Sequence, residues 1–393
     1  MTVTSSVAPF AKNKLLLIVG ALLLLILPLI VQNFGNAWVR IIDLALLYVL
    51  LALGLNIVVG YAGLLDLGYV AFYAVGAYFF GLLAGPHLTD EFEFFKNTFP
   101  GGLHLWWWIA LPLGALVAGC AGVLLGAPTL KLRGDYLAIV TLGFGEIIRV
   151  FMNNLDAPIN ITNGPKGLAQ IDNFHVVPGV DLGKPHTVFG IEFPPVTNHY
   201  YLFLAMVLIS IVICYRLERS RIGRAWMAIR EDEIAAKAMG INTRNMKLLA
   251  FGMGATFGGL SGVLFASFQG FISPESFSLQ ESVMIVAMVV LGGIGHLPGV
   301  IVGALMLSAL PEVLRYVAGP LQQLSDGRLD ASILRQLLIA LAMIGIMLSR
   351  PRGLWPSPEH GRAAVVPDDA PHQHLSPSEE IPPEATHIVP TSK

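Results

Sequence analysis

Long apolar runs alternate with short polar stretches along most of the chain, and the lengths of the runs set the first expectation. Leu15 to Val31 and Ile41 to Val59 are each close to the ~20 apolar residues that cross a bilayer as a helix. The next run, Gly60 to Gly85, is apolar but interrupted by Gly60, Gly63, Gly68, Gly76, Gly81 and Gly85, so a broken or tightly packed helix is expected there. Further spans are predicted from Trp106 to about Ala127, Asp135 to Met152, His199 to Tyr215 and Leu248 to Phe271. Val283 to Leu291 runs into Gly292–Gly299, a second glycine-broken stretch containing Gly292, Gly293 and Gly295. Val300 to Val317 and Ile333 to Leu348 complete an expected all-α polytopic membrane protein of about ten helices.

The polar stretches fix the expected sidedness. Lys and Arg resist translocation, so basic loops mark the inside. Lys12 and Lys14, Lys131 and Arg133, the cluster from Arg216 to Lys247, and Arg350 with Arg352 agree on both ends lying inside. The expected organisation is an N-terminal arm at 1–14, a transmembrane region at 15–352 and a tail at 353–393. Within the transmembrane region, 153–198 reads as an external loop with room for a short helix or hairpin, and 218–246 as a cytoplasmic loop. The tail is rich in proline with scattered acids and is predicted to be disordered.

Composition supports this reading. The mean hydropathy is +0.69, 55% of residues are hydrophobic and 13% charged, about half the charged share usual in soluble domains. A net charge of −2 gives no electrostatic footprint for nucleic acid. Cys120 and Cys214 both fall in apolar runs and read as small core residues. No metal-binding set is expected, and His372 with His374 is taken as incidental in the tail.

Three places carry candidate chemistry. From Arg224 to Met239 the basic loop reads as one short helix, with Ala225, Ala228, Ala235 and Met239 making a narrow small-sided face. Glu233 precedes Lys237 by one turn, and Gly240 is placed for a left-handed C-terminal cap. Such a helix is either a solvated connector or a knob for a groove on a partner. Asp66, beside Gly68 at the start of the first broken run, reads either as a helix cap or as an acid facing a wet cavity. Glu146 and Arg149 share a helix face, where mutual neutralisation is the first reading and substrate contact the second. The two glycine-broken stretches echo one another as a candidate internal repeat, a pattern that points to a translocation path at the repeat interface. That path would involve Asp66, Gly68, Glu146, Arg149, Gly292, Gly293 and Gly295.

Catalytic motifs are missing from the sequence. There is no G-x-x-x-x-G-K-[ST] loop, no HExxH and no G-x-S-x-G elbow. A pore or carrier driven by a separate engine is the consequence.

LRGDYLAIVTLGFGEIIR (132–149), GRAWMAIREDEIAAKAMGI (223–241), SPESF (273–277) and VVLGGIG (289–295) resemble the permease of bacterial branched-chain amino acid ABC importers, and more narrowly its LivM-type subunit. The resemblance covers about Val39 to Gly353. It implies inward movement of apolar amino acids across the bacterial inner membrane. The implied partners are a LivH-like permease, two ATPase subunits that hold the ATP and Mg²⁺, and a periplasmic binding protein. It also implies that the loop after Arg224 is the ATPase-coupling helix, with Arg224, Ala225, Ala228, Ala235, Ala236 and Gly240 in it. The family's E-A-A-x-x-x-G pattern is kept at Ala235, Ala236 and Gly240, but Ile234 stands in the acid's place. Glu231, Asp232 and Glu233 are therefore all candidates for the partner contact. Related permeases move urea or amides, and a stand-alone secondary transporter is the alternative of a different class.

Overall fold

The computed structural model describes residues 14–99, 103–130, 132, 134–177, 180–188 and 191–324, then 337, 339–341, 343–345, 348–349 and 353–355. Nearly all of the expected N-terminal arm and tail, and part of the Ile333–Leu348 run, lie outside the described residues.

The apolar runs fold as helices, as chains in hydrocarbon must to satisfy their own peptide groups. α1 spans Lys14–Val31 and α2 Asn36–Asn56, the latter continuing into a wider π turn over Ile57–Tyr61. Residues 62–69 are unwound, and α3 (Val70–Ala84) follows. Two short helices, α4 (His87–Glu91) and α5 (Glu93–Thr98), lead towards α6 (Trp107–Thr129) and α7 (Asp135–Asn154). After the long loop come α8 (Pro195–Glu218), α9 (Arg221–Glu231), α10 (Glu233–Ala238) and α11 (Thr243–Gln269). α12 (Leu279–Gly292) and α13 (Leu297–Leu324) complete the described set.

Among the described residues, six segments are long and apolar enough to cross a membrane: Asn36–Tyr61, Trp107–Thr129, Pro195–Glu218, Thr243–Gln269, Pro274–Gly292 and Leu297–Leu314. The expected count of about ten is not reached by that measure, for physical reasons. α3 is 15 residues because the eight before it are unwound. α7 is 20 residues but carries Asp135, Glu146 and Arg149.

The 153–198 loop is more ordered than its composition suggests. Two antiparallel hairpins form there, His175–Val177 with Val180–Asp181 and His186–Val188 with Ile191–Phe193. A third pair joins Leu168–Ala169 to Phe271–Ile272, pinning the loop to the end of α11. Among the described residues the fold is thus helical with three short strand pairs rather than purely α.

α11 is the post around which the bundle packs, lying against α6, α3 and α2. Its small residues permit that approach. A Cβ on Gly262 would lie 2.2 Å from the Tyr73 carbonyl oxygen, and one on Gly259 2.3 Å from Ala118 Cβ. Seams this close exclude any larger side chain, so the glycine density of Leu248–Phe271 is a packing requirement.

Candidate translocation and coupling site

The first broken segment is held by side chains from two neighbouring helices. Gly63 takes φ +68°, a conformation that favours glycine, and the chain beyond it is neither helix nor strand up to Gly68. Leu64 and Asp66 point inward while Gly63 and Leu65 are exposed. Asp66 Oδ1 accepts from the Gly68 amide at 2.9 Å, closing a tight local turn. The Leu67 amide donates to Thr141 Oγ1 of α7 at 3.0 Å, and its carbonyl accepts from Ser282 Oγ of α12 at 2.5 Å. Gly68 sits against α7 so closely that a Cβ would be 2.0 Å from the Thr141 carbonyl oxygen. The unwound backbone thereby finds donors and acceptors in place of its lost helical partners, as buried peptide groups require.

Asp66 is a buried acid and not an interfacial helix cap. It is 1% exposed and its Oδ2 lacks a hydrogen-bond partner. A void of about 10 Å³ adjoins it, bordered by Gly68, Thr129 and Thr141. That is about the space one water needs, and a buried carboxylate oxygen would give such a water one of its partners.

Glu146 and Arg149 neutralise one another, with Arg149 Nε 3.0 Å from Glu146 Oε2. Arg149 also reaches Glu275 at 3.2 Å, tying α7 to the 3₁₀ turn Pro274–Phe277. The pair braces the junction beside Gly68, one turn along α7.

The second broken segment, 293–296, takes positive φ at Gly293 (120°) and Gly295 (81°). Its amide at Gly295 donates to Asn56 Oδ1 at 2.9 Å, so the end of α2 meets the break after α12. The Leu354 and Trp355 amides donate to the Leu291 and Gly292 carbonyls at 2.8 and 3.2 Å, capping α12. Gly292 itself packs on Gly299, where a Cβ would lie 2.3 Å from the carbonyl oxygen. The candidate path residues therefore form two groups. Asp66 and Gly68 sit with α7, whereas Gly295 sits beside Gly60 at the other end of the first break, with Gly292 and Gly293 leading to it.

The basic loop departs from the expected single helix. It forms two, α9 and α10, broken at Asp232. Ser220 caps α9 by accepting from the Gly223 amide. Asp232 Oδ1 accepts from the Ile234 and Ala235 amides at 2.7 and 3.1 Å and so starts α10. Gly240 follows at φ +85°, the left-handed cap position.

The buried face of α9 is also different from the expected alanine stripe. Gly223, Trp226 and Ile229, three residues apart, face inward, while Ala225 and Ala228 are half-buried and Arg224 is exposed. Trp226 is 0% exposed and its Nε1 donates to the Met246 carbonyl of α11 at 2.7 Å. Glu233 pairs with Lys247 of α11 at 2.8 Å. Of the three candidate acids, Asp232 is thus spent on a cap and Glu233 on an ion pair, leaving Glu231 exposed. Ala236 is 3% exposed, whereas Ala235 is exposed. Leucine at Ala236 is expected to lower thermal stability by overpacking, while leucine at Ala235 leaves it unchanged. Melting curves of both purified variants check the contrast, and equal midpoints would contradict it.

Trp226, Arg230, Lys247 and Glu275 are the site residues that sequence reasoning passed over. A lone indole in a charged helix, with glycine and isoleucine three residues either side, was the available signal for the buried face.

The chain matches the model of the branched-chain amino acid transport system / permease component family over residues 37–347. It is 40% identical over 358 residues to the high-affinity branched-chain amino acid transport system permease protein LivM of Escherichia coli K12, covering 88% of this chain and 75% of that protein. The Salmonella typhimurium LivM protein is 39% identical over the same shares. The Salmonella typhimurium LivH permease protein is 34% identical over 157 residues, 40% of this chain and 46% of that protein. No solved structure matches. Together with a helical bundle of membrane-spanning length, these likenesses settle its kinship: the chain belongs to the family of permease components of the branched-chain amino acid transport system.

Proposed function

We propose that this chain is a membrane-spanning permease subunit of an ABC importer that moves branched-chain amino acids into the cytoplasm. In this reading ATP and Mg²⁺ are bound by two separate ATPase subunits, a LivH-like chain supplies the second permease, and a periplasmic binding protein delivers the cargo. The chain crosses the bacterial inner membrane about ten times with both ends inside, so 153–198 faces out and 218–246 faces the ATPases.

The observation that carries the proposal is the surface of α10. Ile234, on α10, is 73% exposed and Met239, its C-cap, 83% exposed, and α11 holds this helix through Lys247 and the buried Ala236. Two bare apolar side chains on a fixed, otherwise charged loop make a seat for a partner. Glu231 adds a charge at its edge.

The broken segments offer the cargo peptide groups and small surfaces rather than a dense charged site, so selectivity resides mainly in the binding protein. Vesicles holding the full assembly are expected to accumulate labelled leucine, with isoleucine and valine competing. Uptake of urea or a short amide with leucine ignored would keep the transporter class and overturn the cargo.

A further inference from the structure

We infer that Arg230 is a positioning residue that passes displacement of α9 and α10 to both broken segments at once. The inference rests on the docking role proposed above and adds the route by which docking reaches the spans.

Arg230 leaves the last turn of α9 and threads between the two breaks. Its Nη1 donates to the Gly60 carbonyl at 2.5 Å, inside the π turn that ends α2. Two glycines make room for it, and a third lets the two breaks meet. A Cβ on Gly63 would lie 2.8 Å from Arg230 Cγ, and one on Gly295 would lie 2.7 Å from Nη1. A Cβ on Gly60 would lie 2.8 Å from the Gly295 amide nitrogen. The Gly295 amide is in turn bonded to Asn56 Oδ1. One side chain therefore touches the start of the first break, its stem against Gly63 and its guanidinium on the Gly60 carbonyl of the π turn, and lies against the second through Gly295.

The other end of the lever is fixed. Trp226 bonds the Met246 carbonyl and Lys247 pairs with Glu233, so α9 and α10 move with the first turns of α11. Beside Arg230 lies a cavity of about 240 Å³, between Gly63–Leu65, Asp135 at the start of α7, and Glu233. Close-packed interiors resist displacement, and an open space at this joint lets the loop shift against the break without forcing the seams of α11. The π turn is a suitable receiver, since its wider hydrogen bonds already depart from the helical ladder. The Ala62 amide reaches the Ile57 carbonyl at 3.3 Å and the Leu64 amide the Val58 carbonyl at 3.0 Å.

The test compares Arg230→Met with Arg230→Lys in the full importer reconstituted in vesicles, reading leucine uptake and binding-protein-stimulated ATP hydrolysis together. The methionine keeps the stem but loses the donors. A charge-assisted hydrogen bond is lost, so leucine carried per ATP is expected to fall about tenfold while hydrolysis stays within about twofold of the parent. Lysine keeps one charged donor and is expected to restore most of the ratio. An unchanged ratio in the methionine variant, uptake and hydrolysis falling in parallel, or a lysine variant no better than methionine would each overturn the inference. If the methionine variant does not assemble, Arg230→Gln, whose shorter amide cannot span to Gly60, takes its place under the same criterion. Failure of the docking role itself is distinguishable, because aspartate at Ile234 and Met239 would then leave both co-purification with the ATPase subunits and stimulated hydrolysis intact.

Discussion

Aspartate at both Ile234 and Met239 is expected to abolish leucine uptake, by roughly a hundredfold or more. Both side chains stand on the surface of α10 and its cap, so charging them disturbs nothing within the chain. In the assembled importer the same atoms would be desolvated against an ATPase subunit, and an unpaired buried carboxylate costs several kcal/mol. Two of them exceed the ~2.7 kcal/mol that a hundredfold loss of affinity requires. The variant should reach the membrane, melt like the parent protein and fail to co-purify with the ATPase subunits. Normal uptake would place the docking surface elsewhere.

Gly68→Val is expected to be almost as damaging, through a different link. The added Cβ would sit 2.0 Å from the Thr141 carbonyl oxygen and 2.7 Å from its carbon, both backbone atoms that no rotamer change can move aside. Overpacking of this kind typically costs roughly 1–3 kcal/mol, and valine carries two further methyl groups into the same space. Pushing α7 away also breaks the Leu67–Thr141 hydrogen bond that anchors the unwound backbone. The midpoint of thermal unfolding in detergent should drop by several degrees, and uptake should be lost even where protein remains in the membrane. An unaltered melting curve would mean that the break does not rest on α7.

Much of the bundle was legible because hydropathy is a direct record of the solvent. The starts and ends of α6, α8 and α11 follow the apolar runs within a few residues, and the glycine spacing of Gly60–Gly85 announced a break. Gly240 carried its own cap. What could not be read was which competing local option wins. Arg224–Met239 has continuous helical periodicity, yet Asp232 offers its carboxylate to two amides ahead of it, and that cap outweighs one more turn of helix. The alanine face was equally periodic, but a buried indole contributes far more apolar area than alanines do, so Trp226 and Ile229 turned inward. Asp66 was ambiguous because its environment is built by Thr141 and Ser282, 75 and 216 residues further along. Long-range contacts of that kind leave no local trace.

The most direct test of the central claim is the energy source of leucine uptake. Sealed vesicles holding this chain, its partner permease and the two ATPase subunits, with binding protein outside and ATP inside, should accumulate leucine only while ATP is hydrolysed, and a mutation in the ATPase phosphate loop should stop both. Leucine accumulation by the chain alone, driven by an ion gradient without ATP, would contradict the account.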